Sequence, residues 1–315
     1  MERHEIEVFL TLADELHFGR TAERLGLTQG RVSQTVKKLE RRFRADLFER
    51  TSRRVALTPL GKQLRDGIET PYRRIQEEIA EAVAAGSGIT GTLRIGFSGA
   101  FTGHLVQHIT ELFEHRHPGV ESHLQQIQLY DPFGPLRAGD VDVQVTERPV
   151  EEPDLSVGPV LIREPRALLV SDRHPLARRE TVSIEDWADC RMLTVGGRHA
   201  PQYWLDHLFP AHTPSGRAVP RGPAVLYWED AMTVIRADQA VCPLSSAAAR
   251  YYTHTGVAYV PVPDAPPLEY GLVWQKARST KLLGAFVRAA QAEVAARGGP
   301  DRALASLTDD TRGAV

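Results

Sequence analysis

Residues 18–34 (FGRTAERLGLTQGRVSQ) constrain the fold more than any other stretch. They read as a short helix, a three-residue turn and a second helix that cannot be wholly buried. Ala22 and Leu25 face inward on the first helix. Gly26 supplies a helix-ending residue that tolerates positive φ, and Leu27 is expected to plug the gap between the helices. Thr28 is a good N-cap for a helix whose apolar positions, Val32, Val36, Leu39 and Phe43, recur every three or four residues. Its other face carries Gln29, Arg31, Ser33, Gln34, Thr35, Lys37 and Lys38, joined by Arg20 from the first helix. A tight turn before an exposed polar-basic helix is the arrangement that lays its second helix in a DNA major groove. The plainer alternative is a helical hairpin with a solvated charged face.

The next forty residues favour the groove-binding helix. Leu47-Phe48-Glu49-Arg50 and Val55-Ala56-Leu57 flank a polar, basic tip, the pattern of a small hairpin. Arg50, Arg53 and Arg54 cluster there, suited to phosphates or a minor groove. Thr58-Pro59 then reads as an N-cap with proline at the first helical position. From there Leu60, Leu64, Ile68, Tyr72, Ile75, Ile79 and Val83 form one apolar stripe. Such a stripe wants a partner helix, and Leu64, Ile68, Ile75 and Ile79 are expected to meet the same helix of a second subunit. Packing on its own chain is the alternative. Pro71 should kink the helix, and Gly86-Ser87-Gly88 end it. Charge is split along the chain: residues 1–65 carry a net +5 and the remainder −7, hidden within an overall −2. A polyanion partner therefore belongs to the N-terminus.

Phe9-Leu10, Leu16-His17-Phe18, Thr21-Ala22, Thr28-Gln29, Val32-Ser33, Leu39-Glu40, Leu47-Phe48-Glu49-Arg50 and Leu57-Thr58-Pro59-Leu60-Gly61 together resemble the N-terminal signature of LysR-type transcriptional regulators. The resemblance spans about sixty residues and continues weakly to about residue 295. It implies binding to double-stranded promoter or operator DNA, control by a small-molecule effector and a homodimer or homotetramer, with RNA polymerase as a further partner. No cofactor and no metal are expected. Two departures stand out. Gly30 replaces a usual proline at the start of the recognition helix. Arg44 replaces a helix-ending glycine and is therefore expected in a left-handed conformation, at a cost of about 1 kcal/mol.

Residues 91–295 suffice for a sizeable second core. Leu93–Phe97 reads as a strand, the stretch holding Leu105, Val106, Ile109, Leu112 and Phe113 as a helix, and Val120–Ile127 and Val141–Val145 as further strands. Alternating strands and helices imply a doubly wound parallel sheet. Arg163-Glu164-Pro165 and Asp264-Ala265-Pro266-Pro267 read as two crossings to a second lobe with strands near 167–170, 192–195, 240–242 and 257–262. The expected fold is an all-α winged helix-turn-helix domain (1–58), a linker helix (59–88) and a two-lobe α/β effector domain (89–297). That domain resembles periplasmic solute-binding proteins, with lobe I at about 91–162 and 269–297 and lobe II at about 163–268. Residues 298–315 read as a flexible tail.

Gly96-Phe97-Ser98-Gly99-Ala100 lies between strand and helix, where a hydrolase holds its nucleophile. Its fifth position is not glycine, and no Asp-then-His order follows, so catalysis is the weaker reading. As a binding loop, Ser98 and Thr102 sit at a helix N-terminus suited to an anionic effector. By position in the family, Leu129, Tyr130, Gly196, Gly197 and Arg198 complete that cleft. In the lobe II loop, where relatives usually have glycines, Asp238-Gln239-Ala240 stands instead. His104 and His108 have metal-compatible spacing but lack a third ligand nearby. Cys190 and Cys242 are the only cysteines. Because peroxide-sensing relatives use a cysteine pair, a redox switch is the rival regulatory reading, against buried inert thiols. Two cysteines, no leader and no long apolar run suggest a cytoplasmic, membrane-free protein.

Overall fold

A computed structural model describes residues 1–50, 55–197, 199–252, 254–305 and 307, with only the backbone described at 50, 70, 73, 74, 76–78 and 80–87. It divides into two compact units, Met1–Gly86 and Ser87–Val315.

The first unit holds α1 (Arg3–Glu15), α2 (Phe18–Leu25), α3 (Gln29–Phe43), a two-stranded antiparallel ribbon of β1 (Phe48–Arg50) and β2 (Val55–Leu57), and α4 (Pro59–Ser87). Gly26 ends α2 at φ 63°, the left-handed region that favours glycine. The Thr28 hydroxyl then accepts from Arg31 N at 3.3 Å and opens α3. Val8, Phe9, Leu12, Val32, Val36, Leu39 and Leu47 close the core, with the Phe9 and Phe48 rings 5.6 Å apart. A Cβ on Gly61 would stand 2.2 Å from the Leu47 carbonyl oxygen, so glycine lets α4 lie against the ribbon. Arg44 caps α3 at φ 54°, as the missing glycine leads one to expect.

Two apolar residues differ from the sequence expectation. Leu27 is 40% exposed and Phe43 37% exposed, each just past the last turn that the core covers. Leu64 and Ile68 pack partly against this unit's own core, and the Tyr72 hydroxyl donates to Glu7 at 2.8 Å. The stripe therefore changes partner along its length. Its first half is held by its own chain. Ile75 and Ile79 stay 55% and 49% exposed, and α4 is helical throughout, including Pro71.

In the second unit, β3 (Gly91–Phe97), α5 (Ala100–Arg116), β4 (Val120–Gln126), α6 (Gly134–Ala138), β5 (Val143–Glu147), β6 (Leu155–Glu164), β12 (Leu268–Gln275) and α10 (Lys281–Ala296) build one lobe. Its sheet order is β4-β3-β5-β12-β6. Strand β3 runs parallel to β4 and β5, whereas β12 is antiparallel to β5 and β6, so the sheet is mixed rather than wholly parallel. The other lobe holds β7 (Arg166–Ser171), β8 (Met192–Val195), α7 (Gln202–Leu208), β9 (Arg221–Val225), α8 (Trp228–Arg236), β10 (Cys242–Ser245), α9 (Ala248–Tyr251) and β11 (Val257–Val262). Here β10 and β11 flank β7 antiparallel, and β8 pairs parallel with β9. The chain crosses between lobes at Pro165 and at 263–267.

The segment after α10 is not a free tail where it is described. Ala303, Leu304 and Leu307 are buried, and Arg163 reaches both the Pro300 carbonyl (3.0 Å) and Asp301 (3.2 Å). Three small-to-large apolar side chains at helical spacing are enough to dock it. Among the described residues, no helix is long and apolar enough to cross a membrane.

Candidate functional site

Two surfaces carry chemistry, one in each unit. On α3, Gln29, Arg31, Gln34 and Lys37 are exposed and Ser33 is half-buried, opposite the fully buried Val32, Val36 and Leu39. Three of the sequence candidates are engaged elsewhere. Thr35 is buried and donates its hydroxyl to the Arg31 carbonyl at 3.0 Å. Thr28 spends its hydroxyl on the cap, leaving it a structural role. Arg20 is clamped by Glu15, donating to its carboxylate (3.2 Å) and its carbonyl (2.6 Å), with Arg24 on the same carboxylate. Beneath the helix, the buried Glu5 takes Lys38 at 2.8 Å and Arg42 at 3.6 Å. The Lys38 hydrogen bond, foremost, holds the Glu5 carboxyl down at about 2. These pairs fix the helix against α1 and leave Gln29, Arg31, Gln34 and Lys37 as an exposed polar row without side-chain partners among the described residues. Arg50 is described as backbone in β1, while Arg53 and Arg54 lie outside the described residues.

The second surface is a cavity of about 90 Å³ between the lobes. Its floor is formed where β3, β4 and β5 end: Ser98 and Gly99, Ile127 to Leu129, and Glu147. The C-terminal edge of parallel strands is where open α/β sheets place their ligands. The other lobe contributes Trp228, Pro243, Ser245, Ala248 and Tyr252. Glu147 is 8% exposed, and burial raises its pKa against weaker opposing hydrogen bonds from backbone, Thr146 and Ser98. The Ser98 hydroxyl is buried without a well-formed hydrogen bond, although it is near enough to the Glu147 carboxyl to favour ionisation.

Of the expected cleft residues, Ser98 and Leu129 line this cavity. Thr102 does not. It is fully buried, accepts from Gly99 N (2.9 Å) and donates to the Gly99 carbonyl (2.7 Å), so its hydroxyl is spent on the helix start. Tyr130 turns to Tyr227, with ring centroids 5.6 Å apart. Gly196 and Gly197 adjoin Leu226 and Tyr130 rather than the cavity, and Arg198 lies outside the described residues. The Tyr252 hydroxyl accepts from Ala100 N at 2.9 Å, taking the first N–H of the helix end expected to hold an anion. Sequence reasoning missed Glu147, Trp228 and Tyr252. Only Glu147 left a trace, as an acid ending the wholly buried strand β5 before Arg148-Pro149.

Comparison with known proteins decides what this pairing of units is. Residues 4–62 match the family "Bacterial regulatory helix-turn-helix protein, lysR family", and residues 79–295 match "LysR substrate binding domain". The chain belongs to the LysR family of transcriptional regulators. It is a DNA-binding regulator with an effector-binding domain. The HTH-type transcriptional regulator AlsR of Bacillus subtilis is 30% identical over 208 residues, covering 66% of this chain and 68% of AlsR. ShiR of Corynebacterium glutamicum is 33% identical over 201 residues, 62% of this chain and 66% of ShiR. The dual regulator OxyR of Escherichia coli is 29% identical over 199 residues, 63% and 65% of the two chains. The aligned stretch thus spans about two thirds of these relatives. Among solved structures, a hydrogen-peroxide-bound cysteine-to-serine mutant of OxyR from C. glutamicum (TM-score 0.54, 21% identical, 98% and 97% covered) shares the fold. So does CbnR complexed with its target DNA (0.51, 17%, 93% and 99%).

In this LysR-family chain both cysteines are free and buried. Burial pushes the Cys190 thiol up to about 11 and the Cys242 thiol, in the cavity wall, up to about 12. His104 and His108 point to different partners. Nδ1 of His104 meets the Tyr251 hydroxyl at 2.8 Å, and Nε2 of His108 meets Glu293 at 3.0 Å.

Proposed function

We propose that this regulator reads its operator through the exposed row of α3 and assembles through α4. In the same reading it responds to a small molecule held between the lobes, in the cytoplasm and without catalytic turnover. The observation that carries the proposal is the division of α3 into two faces. Its apolar side is locked into the core, its inner cations Lys38 and Arg42 pair with Glu5, and Gln29, Arg31, Gln34 and Lys37 remain exposed. Gln suits adenine and Arg suits guanine in a major groove. CbnR's capture on its target DNA supports the same use of the fold here. Homodimers or homotetramers fit the exposed Ile75 and Ile79, and RNA polymerase is a partner to be assayed at the promoter.

The test is selection of bound sequences from a randomised duplex pool, followed by titration of the winner. Gln29→Ala or Arg31→Ala should cost about 1–3 kcal/mol on that site and relax one base position. Equal losses on random DNA would reject base reading. Two rival readings are less well supported, the redox one resting on the likeness to OxyR. Hydrolysis at Ser98 would need a base well aligned on its hydroxyl, and among the described residues the nearby Glu147 carboxyl makes no well-formed hydrogen bond to it. Redox sensing would need an accessible thiolate, whereas both thiols are buried and raised in pKa.

A further inference from the structure

Resting on the reading of the interlobe cavity as the effector site, we propose that it selects a small organic cation, a primary ammonium compound with a short apolar tail. The polar end of the cavity is an acid. Glu147 closes β5 at the cavity wall, and its carboxyl accepts from Thr146 Oγ1 at 3.2 Å. Among the described residues, no lysine, arginine or histidine lines the cavity or acts on that carboxyl. Arg166 acts on Tyr270 instead, and commits its N–H groups to the carbonyls of Pro266, His207 and Leu208.

An anion placed here would meet a carboxyl and no counter-charge. At the helix N-terminus that could have compensated, Tyr252 takes the Ala100 N–H and Thr102 the Gly99 N–H. A carboxylate ligand would therefore leave a net negative charge inside apolar walls, the costly outcome for a buried ion. An ammonium group brings neutrality instead. Its N–H donors have two acceptors waiting, the Glu147 carboxylate and the orphan Ser98 hydroxyl. The rings of Trp228 and Tyr252, packed on each other with centroids 5.6 Å apart, both line the cavity and give it aromatic surface for a cation and its methylenes. A cavity of about 90 Å³ restricts the ligand to a few heavy atoms.

The experiment titrates full-length protein by calorimetry with n-butylammonium, n-butanol and butanoate, probes of one shape and three charges. The expected order is butylammonium first, by about ten-fold over butanol, with butanoate weakest. Glu147→Gln, nearly isosteric, should remove the ammonium preference, bringing butylammonium down to the level of butanol on the same variant. Butanoate binding most tightly, or an ammonium preference that survives Glu147→Gln, overturns the proposal. Ala248→Leu, which fills the cavity, separates the two claims. If it abolishes butanol binding while butanoate is preferred, the cavity reading stands and the charge assignment falls. If butanol still binds, or none of the three binds the wild type, both fall. Should Glu147→Gln not fold, the wild-type order of the three probes decides alone.

Discussion

Gly30 sits in the first turn of α3, on the side away from the core, and a methyl group there would meet nothing. Glycine loses more backbone entropy on ordering than alanine does, so Gly30→Ala should stabilise the first unit by about 0.5–1 kcal/mol, read as a raised urea midpoint at unchanged slope. A lowered midpoint would mean that the turn needs glycine's freedom. Glu5 tests the opposite kind of residue. Its folded value near 2 lies below the ordinary carboxylate range, so its ionised form stabilises the fold fully at neutral pH. That contribution is lost as pH falls from about 4.3 toward 2. Glu5→Gln should cost about 1–3 kcal/mol at pH 7 and flatten the acid limb of the stability curve. An acid limb identical to wild type would show that Lys38 and Arg42 do not depend on this carboxylate.

At the scale of elements, α4 gives the sharpest expectation. Because Leu64 and Ile68 lean on their own core while Ile75 and Ile79 are left exposed, the seam between subunits should begin beyond Tyr72. Ile75→Asp with Ile79→Asp would put charges into that seam, an unfavourable burial, and should lower the mass seen by light scattering without melting either unit. Leu64→Ala should instead destabilise the first unit and leave the assembly alone. The parent mass in the double aspartate variant would place the interface elsewhere. These elements also show what a sequence discloses. Helix α3, its Thr28 cap, the Gly26 stop and the β3–α5 turn are legible because each follows from neighbours within four residues. Strand β6 is not. Gly158-Pro159 interrupts its apolar pattern, yet glycine is needed there because the Trp274 ring lies where a Cβ would stand, 2.6 Å away. Thr35 misleads because a hydroxyl in a basic row looks like a DNA contact until its bond to Arg31 is seen. The cavity is legible only at Ser98 and Leu129. Trp228, Ser245 and Tyr252 reach it across a long stretch of chain, a proximity that no local spacing records.

For the whole molecule, the chain passes from one compact unit to the other at Gly86–Ser87, and any coupling between ligand and DNA must be a difference in affinities. Two consequences can be measured on the same protein. The first is that the units should melt separately, since a chain of two cores need not unfold in one step. DNA should then raise one transition and a bound ligand the other, by about 2.7 kcal/mol at a hundred-fold excess over Kd. The second is reciprocity. If saturating ligand changes operator affinity by some factor, saturating operator must change ligand affinity by the same factor, about 5–150-fold for ordinary allosteric coupling. Operator titrations with and without the tightest-binding of the three cavity probes give one side, and calorimetry with and without operator gives the other. Equal factors would place the regulatory signal in one coupled equilibrium between cavity and recognition helix. Unequal factors would show that a third equilibrium intervenes. The exposed pair on α4 names it: association of subunits, whose dependence on protein concentration would then account for the difference.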